Sequence, residues 1–202
     1  MTVVVDYGMG NVASVLNMLR HIGVTDAVLS GRAEDVARAD RVLLPGVGAF
    51  DRGMAHLAAS GLDAALRARV LGQGVPALGI CLGMQLLASG SDEGERPGLG
   101  WIPGRARAIL PAPGRRVPHM GWNAVTGVRD NPLVPPDGER RRFYHVHRYH
   151  VVPADPAHVL ATTSYGADLA TVVGAGRVFG VQFHPEKSHR FGMDLLERFV
   201  RL

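Results

Sequence analysis

The chain contains a single cysteine, Cys81, among its 202 residues. No internal disulfide can form, so the thiol is free and a reducing cytoplasm is the expected setting. No apolar run approaches bilayer-spanning length. The opening MTVVVDYGMG lacks the charged region and long apolar stretch of a secretory signal. No membrane association is expected. Excess charge is modest too, with 22 Lys and Arg against 18 Asp and Glu for a net +4. The densest basic run, ERRRFYH from Glu139, follows a Pro/Asp/Gly turn and reads as a solvated hairpin edge. A continuous basic face, which binding to nucleic acid would need, is missing. There is no internal repeat and no low-complexity linker. Residues 1–202 are therefore read as one domain, long enough for a sizeable core.

What is present is alternation. TVVVDYG reads as a buried strand, and NVASVLNMLRHIG as a helix with Asn11 as N-cap and Gly23 past its end. Its apolar residues Val12, Val15, Leu16, Leu19 and Ile22 fall at helical spacing. DAVLS, RAEDVARA and DRVLLPG continue as strand, short helix and strand. Helical patterns follow through RGMAHLAAS and GLDAALRARVLG, then a strand in VPALGI and a helix in LGMQLLAS. Beyond the polar break SDEGERPGLG, short strands and hairpin turns take over until a last helix in SHRFGMDLLERFVRL. The expected class is α/β: a mostly parallel central sheet flanked by helices, with an additional antiparallel strand region.

In open α/β sheets, sites form beyond the carboxyl ends of strands. YGMGN, PGVG and GICLG are glycine-bearing strand ends of that kind. GICLG has the form G-x-C-x-G, the thiol counterpart of a nucleophile elbow, whose sharp turn requires small neighbours such as Gly79 and Gly83. The following helix N-terminus directs N–H groups at Cys81 and favours the reactive thiolate. A cysteine at the end of a buried strand also serves as a plain space-filling hydrophobe, so partners decide. GVQFHPEKS supplies them. His184 ends an apolar run, Pro185 keeps the segment extended, and Glu186 stands two residues on, able to hold the imidazole. The glycine turn in LLPGVGAF offers backbone N–H donors around Val47 and Gly48 which, with that of Leu82, suit a developing oxyanion.

PGVGAF, GICLGMQLL and FHPEKS, in that order, resemble the class I (triad) glutamine amidotransferases, whose fold is flavodoxin-like. DYGMGN and PHMGWN narrow the likeness to the glutaminase-subunit family of the imidazole glycerol phosphate synthases of histidine biosynthesis. It spans Asp6 to Ser188. The resemblance implies that Cys81, His184 and Glu186 hydrolyse glutamine to glutamate and ammonia, and that Gln85 and Glu93 hold the substrate's amino-acid end. It implies no cofactor. It also implies a heterodimer with a (β/α)₈ cyclase subunit that uses the ammonia to convert PRFAR to imidazole glycerol phosphate and AICAR. Pro118, His119, Met120, Gly121, Trp122 and Asn123 match the cyclase contact, with Tyr144 and Lys187 beside them.

One departure stands out: Arg148 occupies a place where the family commonly has a small hydroxyl residue. HVHRYH also invites a metal reading through His145, His147 and His150, but no carboxylate or cysteine nearby completes a site, and none is expected. The competing functions are a glutaminase serving another synthase and a noncatalytic glutamine-sensing scaffold. An intact Cys81, His184 and Glu186 speak against the scaffold.

Overall fold

Apolar side chains alternate between the two faces of the first strands, and helices cover both faces. The computed structural model describes residues 1–202. The first half runs β1 (Thr2–Val5), α1 (Val12–His21), β2 (Ala27–Ser30), α2 (Ala33–Val36), β3 (Arg41–Gly46), α3 (Phe50–Ala59), α4 (Leu62–Arg67), β4 (Ala77–Cys81) and α5 (Leu82–Leu86). Then come β5 (Gly90–Ser91), β6 (Gly104–Ala108), β7 (His119–Gly127), β8 (Arg141–His147) and β9 (Tyr149–Pro153). The chain closes with β10 (Val159–Ser164), β11 (Asp168–Ala175), β12 (Val178–Val181) and α6 (His189–Val200).

Nine strands form one sheet in the order β2-β1-β3-β4-β12-β11-β10-β7-β8, while β5, β6 and β9 form a smaller one. Pairing is parallel from β2 through β1, β3 and β4 to β12. From β12 through β11, β10 and β7 to β8 it is antiparallel. The parallel core and antiparallel extension expected from the sequence are therefore one continuous sheet.

Period-two alternation sorts the core. Val3, Val5, Val42 and Leu44 face Val36, Phe50, Leu57, Leu62, Leu66 and Leu86 of α2 to α5 in one buried cluster. Val4, Leu43, Leu78 and Ile80 face Val15, Leu16 and Leu19 of α1 and Leu195, Leu196 and Phe199 of α6 in the other. Each face thus buries large aliphatic side chains, and the strands are buried on both sides, as parallel strands are.

Three expectations need adjusting. Asn11 stands before α1, but its side chain makes no capping bond. The helix expected over RAEDVARA is one turn long. The run at Glu139 is not wholly solvated. Arg141 is buried, donates to both carboxylate oxygens of Asp137 at 2.7 Å, and pairs with Glu139 at 2.6 Å. Two acidic partners supplied by the preceding turn are what let a guanidinium leave water there.

Candidate active site

β4 lies between β3 and β12 and ends on Cys81, whose backbone sits at φ 55°, ψ −108°. That region is disfavoured for any residue with a Cβ, and the strain is held by packing on both sides. The turn closes because its neighbours lack side chains. A Cβ on Gly83 would stand 1.7 Å from the Leu44 carbonyl oxygen, and one on Gly79 would stand 2.6 Å from that of Gly83. Helix α5 is thereby pressed onto the strand ends, with the sulfur at its start.

The neighbouring strand brings the second group. β12 runs in register with β4, Val181 opposite Ile80, and the chain continues through Gln182 and Phe183 to His184. Two bonds pin the histidine backbone: its N–H donates to the Tyr144 carbonyl at 2.9 Å, and its carbonyl accepts from Ser188 Oγ at 2.6 Å. Nδ1 lies 2.7 Å from Glu186 Oε1, with both side chains sealed from water. A carboxylate only accepts, so Nδ1 carries the hydrogen, and Nε2, which makes no aligned bond, is left for the thiol. Burial opposes charge on this ring, but the Cys81 sulfur and the Glu186 carboxylate outweigh it and raise its pKa to about 9.

A cleft of about 140 Å³ opens beside the sulfur, lined among others by Val47, Gly48, Leu82, Gln85, Glu93 and Arg148. Gly48 takes φ 126°, a conformation that favours glycine, in the turn beyond β3. Glu93 accepts the Phe50 N–H at 2.8 Å and so ties that turn to the loop after β5. Gln85 is buried beneath the cleft and donates to the Tyr149 carbonyl and to Gln182 Oε1, each at 3.2 Å.

A buried thiol at a strained strand end thus stands beside a histidine–carboxylate pair, with a glycine turn across a small cleft. The family model for class-I glutamine amidotransferases matches residues 3–202. The chain belongs to that family. Among relatives of this amidotransferase is the imidazole glycerol phosphate synthase subunit HisH 2 of Pseudomonas aeruginosa, 48% identical over 202 residues and covering all of both chains. The HisH 2 subunit of Methanococcus maripaludis is 43% identical, covering 100% of this chain and 99% of that one. A crystal structure of a glutamine amidotransferase shares the fold with a TM-score of 0.78 at 19% identity, over 99% of this chain and 97% of the other.

The amidotransferase fold splits the PHMGWN motif. Strand β7 alternates, so His119 is fully buried, whereas Met120 and Trp122 face outward and are 61% and 38% exposed. The motif is therefore not one surface, and His119 presents nothing to a partner. Pro118, Gly121 and Asn123 are half-buried. Tyr144 lies opposite Trp122 on β8, with the Lys187 ammonium 5.9 Å from its ring centre. Trp122 itself stacks on His189 at 5.4 Å. No helix is long and apolar enough to cross a membrane.

The histidines also group differently from the sequence reading. His145 and His147 are joined by His119, not by His150. The rings of His119 and His145 stack at 4.4 Å and 21°, so their in-plane lone pairs do not converge on a common point, as metal ligation requires.

Two further residues at the amidotransferase site escaped sequence reading. Gln182 Nε2 reaches the Cys81 sulfur at 3.8 Å; its signal was a polar residue inside the apolar run GVQF. Tyr7 is buried under the turn, where a Cβ on Gly46 would stand 2.1 Å from its hydroxyl. Burial, and then the nearby cysteine, push its phenol pKa up.

Proposed function

We propose that this chain is the glutaminase subunit of an imidazole glycerol phosphate synthase, with residues 1–202 acting as one unit in the cytoplasm. The observation that carries the reading is the strained Cys81 on β4 beside the sealed His184–Glu186 pair on the adjacent strand end.

In this reading Cys81 Sγ, its proton already held on Nε2 of the charged His184 ring, attacks the side-chain carboxamide carbon of glutamine. The developing oxyanion meets N–H groups of the Val47–Gly48 turn and of Leu82. His184 passes the proton to the leaving nitrogen, the C–N bond breaks, and ammonia departs from a glutamyl thioester. Water, deprotonated by His184, then attacks the thioester; glutamate leaves and the thiol is restored. Glu186 holds the ring and stabilises its charged form. Gln85 and Glu93 bind the amino-acid end of the substrate.

The partner is a cyclase subunit that receives the ammonia and converts PRFAR to imidazole glycerol phosphate and AICAR. Met120, Trp122, Tyr144 and Lys187 form the docking patch, an aromatic and basic cluster of the kind that anchors interfaces. The test is glutamate release by the purified chain, alone and with a cyclase subunit plus PRFAR, with Cys81→Ala as control. A large rise with partner and ligand, absent in the variant, supports the proposal. Equal activity in every mixture makes the chain a free-standing hydrolase.

A further inference from the structure

The sulfur of Cys81 is the end of a hydrogen-bond chain that starts on β7. Its direction follows from one fixed point. The Tyr149 carbonyl only accepts, so His147 Nδ1, 2.8 Å away, must carry hydrogen. Burial holds the pKa of His147 near 3, so the ring is neutral and its Nε2 is an acceptor. His119 Nδ1, 2.9 Å from that nitrogen, must therefore donate. His119 is neutral as well, its pKa lowered to about 4 by burial, which leaves its Nε2 to accept from Asn123 Nδ2 at 2.6 Å. Every tautomer along this path is set by its neighbour.

The same Tyr149 carbonyl accepts from Gln85 Nε2, whose second hydrogen goes to Gln182 Oε1. With its oxygen engaged there, Gln182 turns its amide nitrogen toward Cys81 Sγ. Both hydrogens of the Gln85 amide are thus committed, and only its carbonyl oxygen is left for a ligand in the cleft.

The start of the path is held as firmly as its end. His119 is fully buried and lies between two rings, Tyr165 at 3.9 Å and 22° and His145 at 4.4 Å and 21°. Stacking on both sides fixes its plane, and an imidazole hydrogen-bonds only in its plane. A merely space-filling histidine would need neither constraint.

We propose that Asn123, His119 and His147 form a hydrogen-bond relay that meets Gln85 at the shared Tyr149 carbonyl and, through Gln85 and Gln182, positions the sulfur of Cys81, making His119 and His147 positioning residues for the nucleophile. The inference rests on the glutaminase reading above. It links the strand whose outer face carries Met120 and Trp122 to the reacting atom through its inner face.

Because Cys81 is the chain's only cysteine, alkylation by iodoacetamide reports that sulfur alone. His119→Phe keeps the ring and the stacking but removes both nitrogens from the path. His119→Asn keeps a donor at the δ position. His119→Phe is expected to slow Cys81 alkylation about tenfold and to lower kcat for glutamine more than it raises KM, with His119→Asn recovering most of the alkylation rate. In a Gln182→Leu background, where the last link is already missing, His119→Phe should change alkylation less than about twofold. Asn123→Leu, at the half-buried start of the path, gives the same test should the Phe variant not fold. Multiplicative effects in the double variant, or unchanged alkylation in the single ones, overturn the relay. Coupled alkylation rates in a chain that releases no glutamate with cyclase and PRFAR would leave the relay standing and remove the glutaminase reading.

Discussion

His184 Nδ1 stands 2.7 Å from Glu186 Oε1, and neither side chain is more than 4% exposed. A carboxylate so placed both orients the ring and keeps it charged against the cost of burial. Glu186→Gln should therefore lower the His184 pKa from its value of about 9. The imidazolium would be lost at lower pH, so the alkaline limb of the kcat/KM profile should move toward neutrality, with kcat down about 100-fold or more. A profile that stays in place would mean that Glu186 does not set the charge of His184.

The strain at Cys81 separates stability from activity. Cys81→Ala and Cys81→Gly both remove the thiol that the proposed mechanism uses as nucleophile, and neither should release glutamate from glutamine. They differ in backbone, because φ 55°, ψ −108° is costly with a Cβ and accessible to glycine. Cys81→Gly should be the more stable of the two by about 1 kcal/mol in denaturant unfolding. Equal midpoints would show that the turn is not strained.

The buried histidines predict loss of stability in acid. Burial lowers the pKa of His119 to about 4, of His147 to about 3 and of His145 to about 2, each from an ordinary 6.5. Below 6.5 the unfolded chain takes up protons that the folded one refuses. Their contribution is present above that pH and is lost as pH falls through the folded values. Thermal midpoints should fall steadily from pH 6.5 toward 4. Neither nitrogen of His145 bonds to another protein group, so His145→Phe should flatten that decline and raise the midpoint at neutral pH. An unaltered slope would exclude this ring from the acid response.

Trp122 is 38% exposed, and its ring stacks on His189 and meets Tyr144 edge-on. Trp122→Ala should weaken binding to a cyclase subunit by about 2 kcal/mol or more, roughly 30-fold, with little change in the unfolding midpoint of the isolated chain. Titration calorimetry against the cyclase decides it. Undiminished affinity would move the docking surface elsewhere.

The parallel half of the fold and the elbow were legible in the sequence because their signals are local. Apolar runs end in glycine turns, and Gly79 and Gly83 flank a residue that must turn sharply. His184 and Glu186 were legible as a pair from their spacing, but a 3-10 turn over Pro185–Lys187, not the extended chain expected from Pro185, brings them together. Gln182 and Tyr7 were not read, since their closeness to Cys81 arises from sheet order, which no short motif encodes. His119 was assigned to a surface because its motif was taken whole. Alternation along β7 sends it inward with Asn123 while Met120 and Trp122 face out. The grouping of His119 with His145 and His147 follows from the β7–β8 register, which pairs His119 with His147 and Gly121 with His145.

The position of β12 between β4 and β11 has a consequence in time as well as in space. On the ribosome, β4 and its cysteine emerge long before the strand that completes the sheet beside them. Until β12 arrives, the β4 edge is open to unwanted pairing, and the thiol has neither base nor glutamine side chain next to it. A nascent chain arrested before Val178 should accordingly destroy no glutamine. In the glutaminase reading, the thiol meets its base only when synthesis is nearly complete.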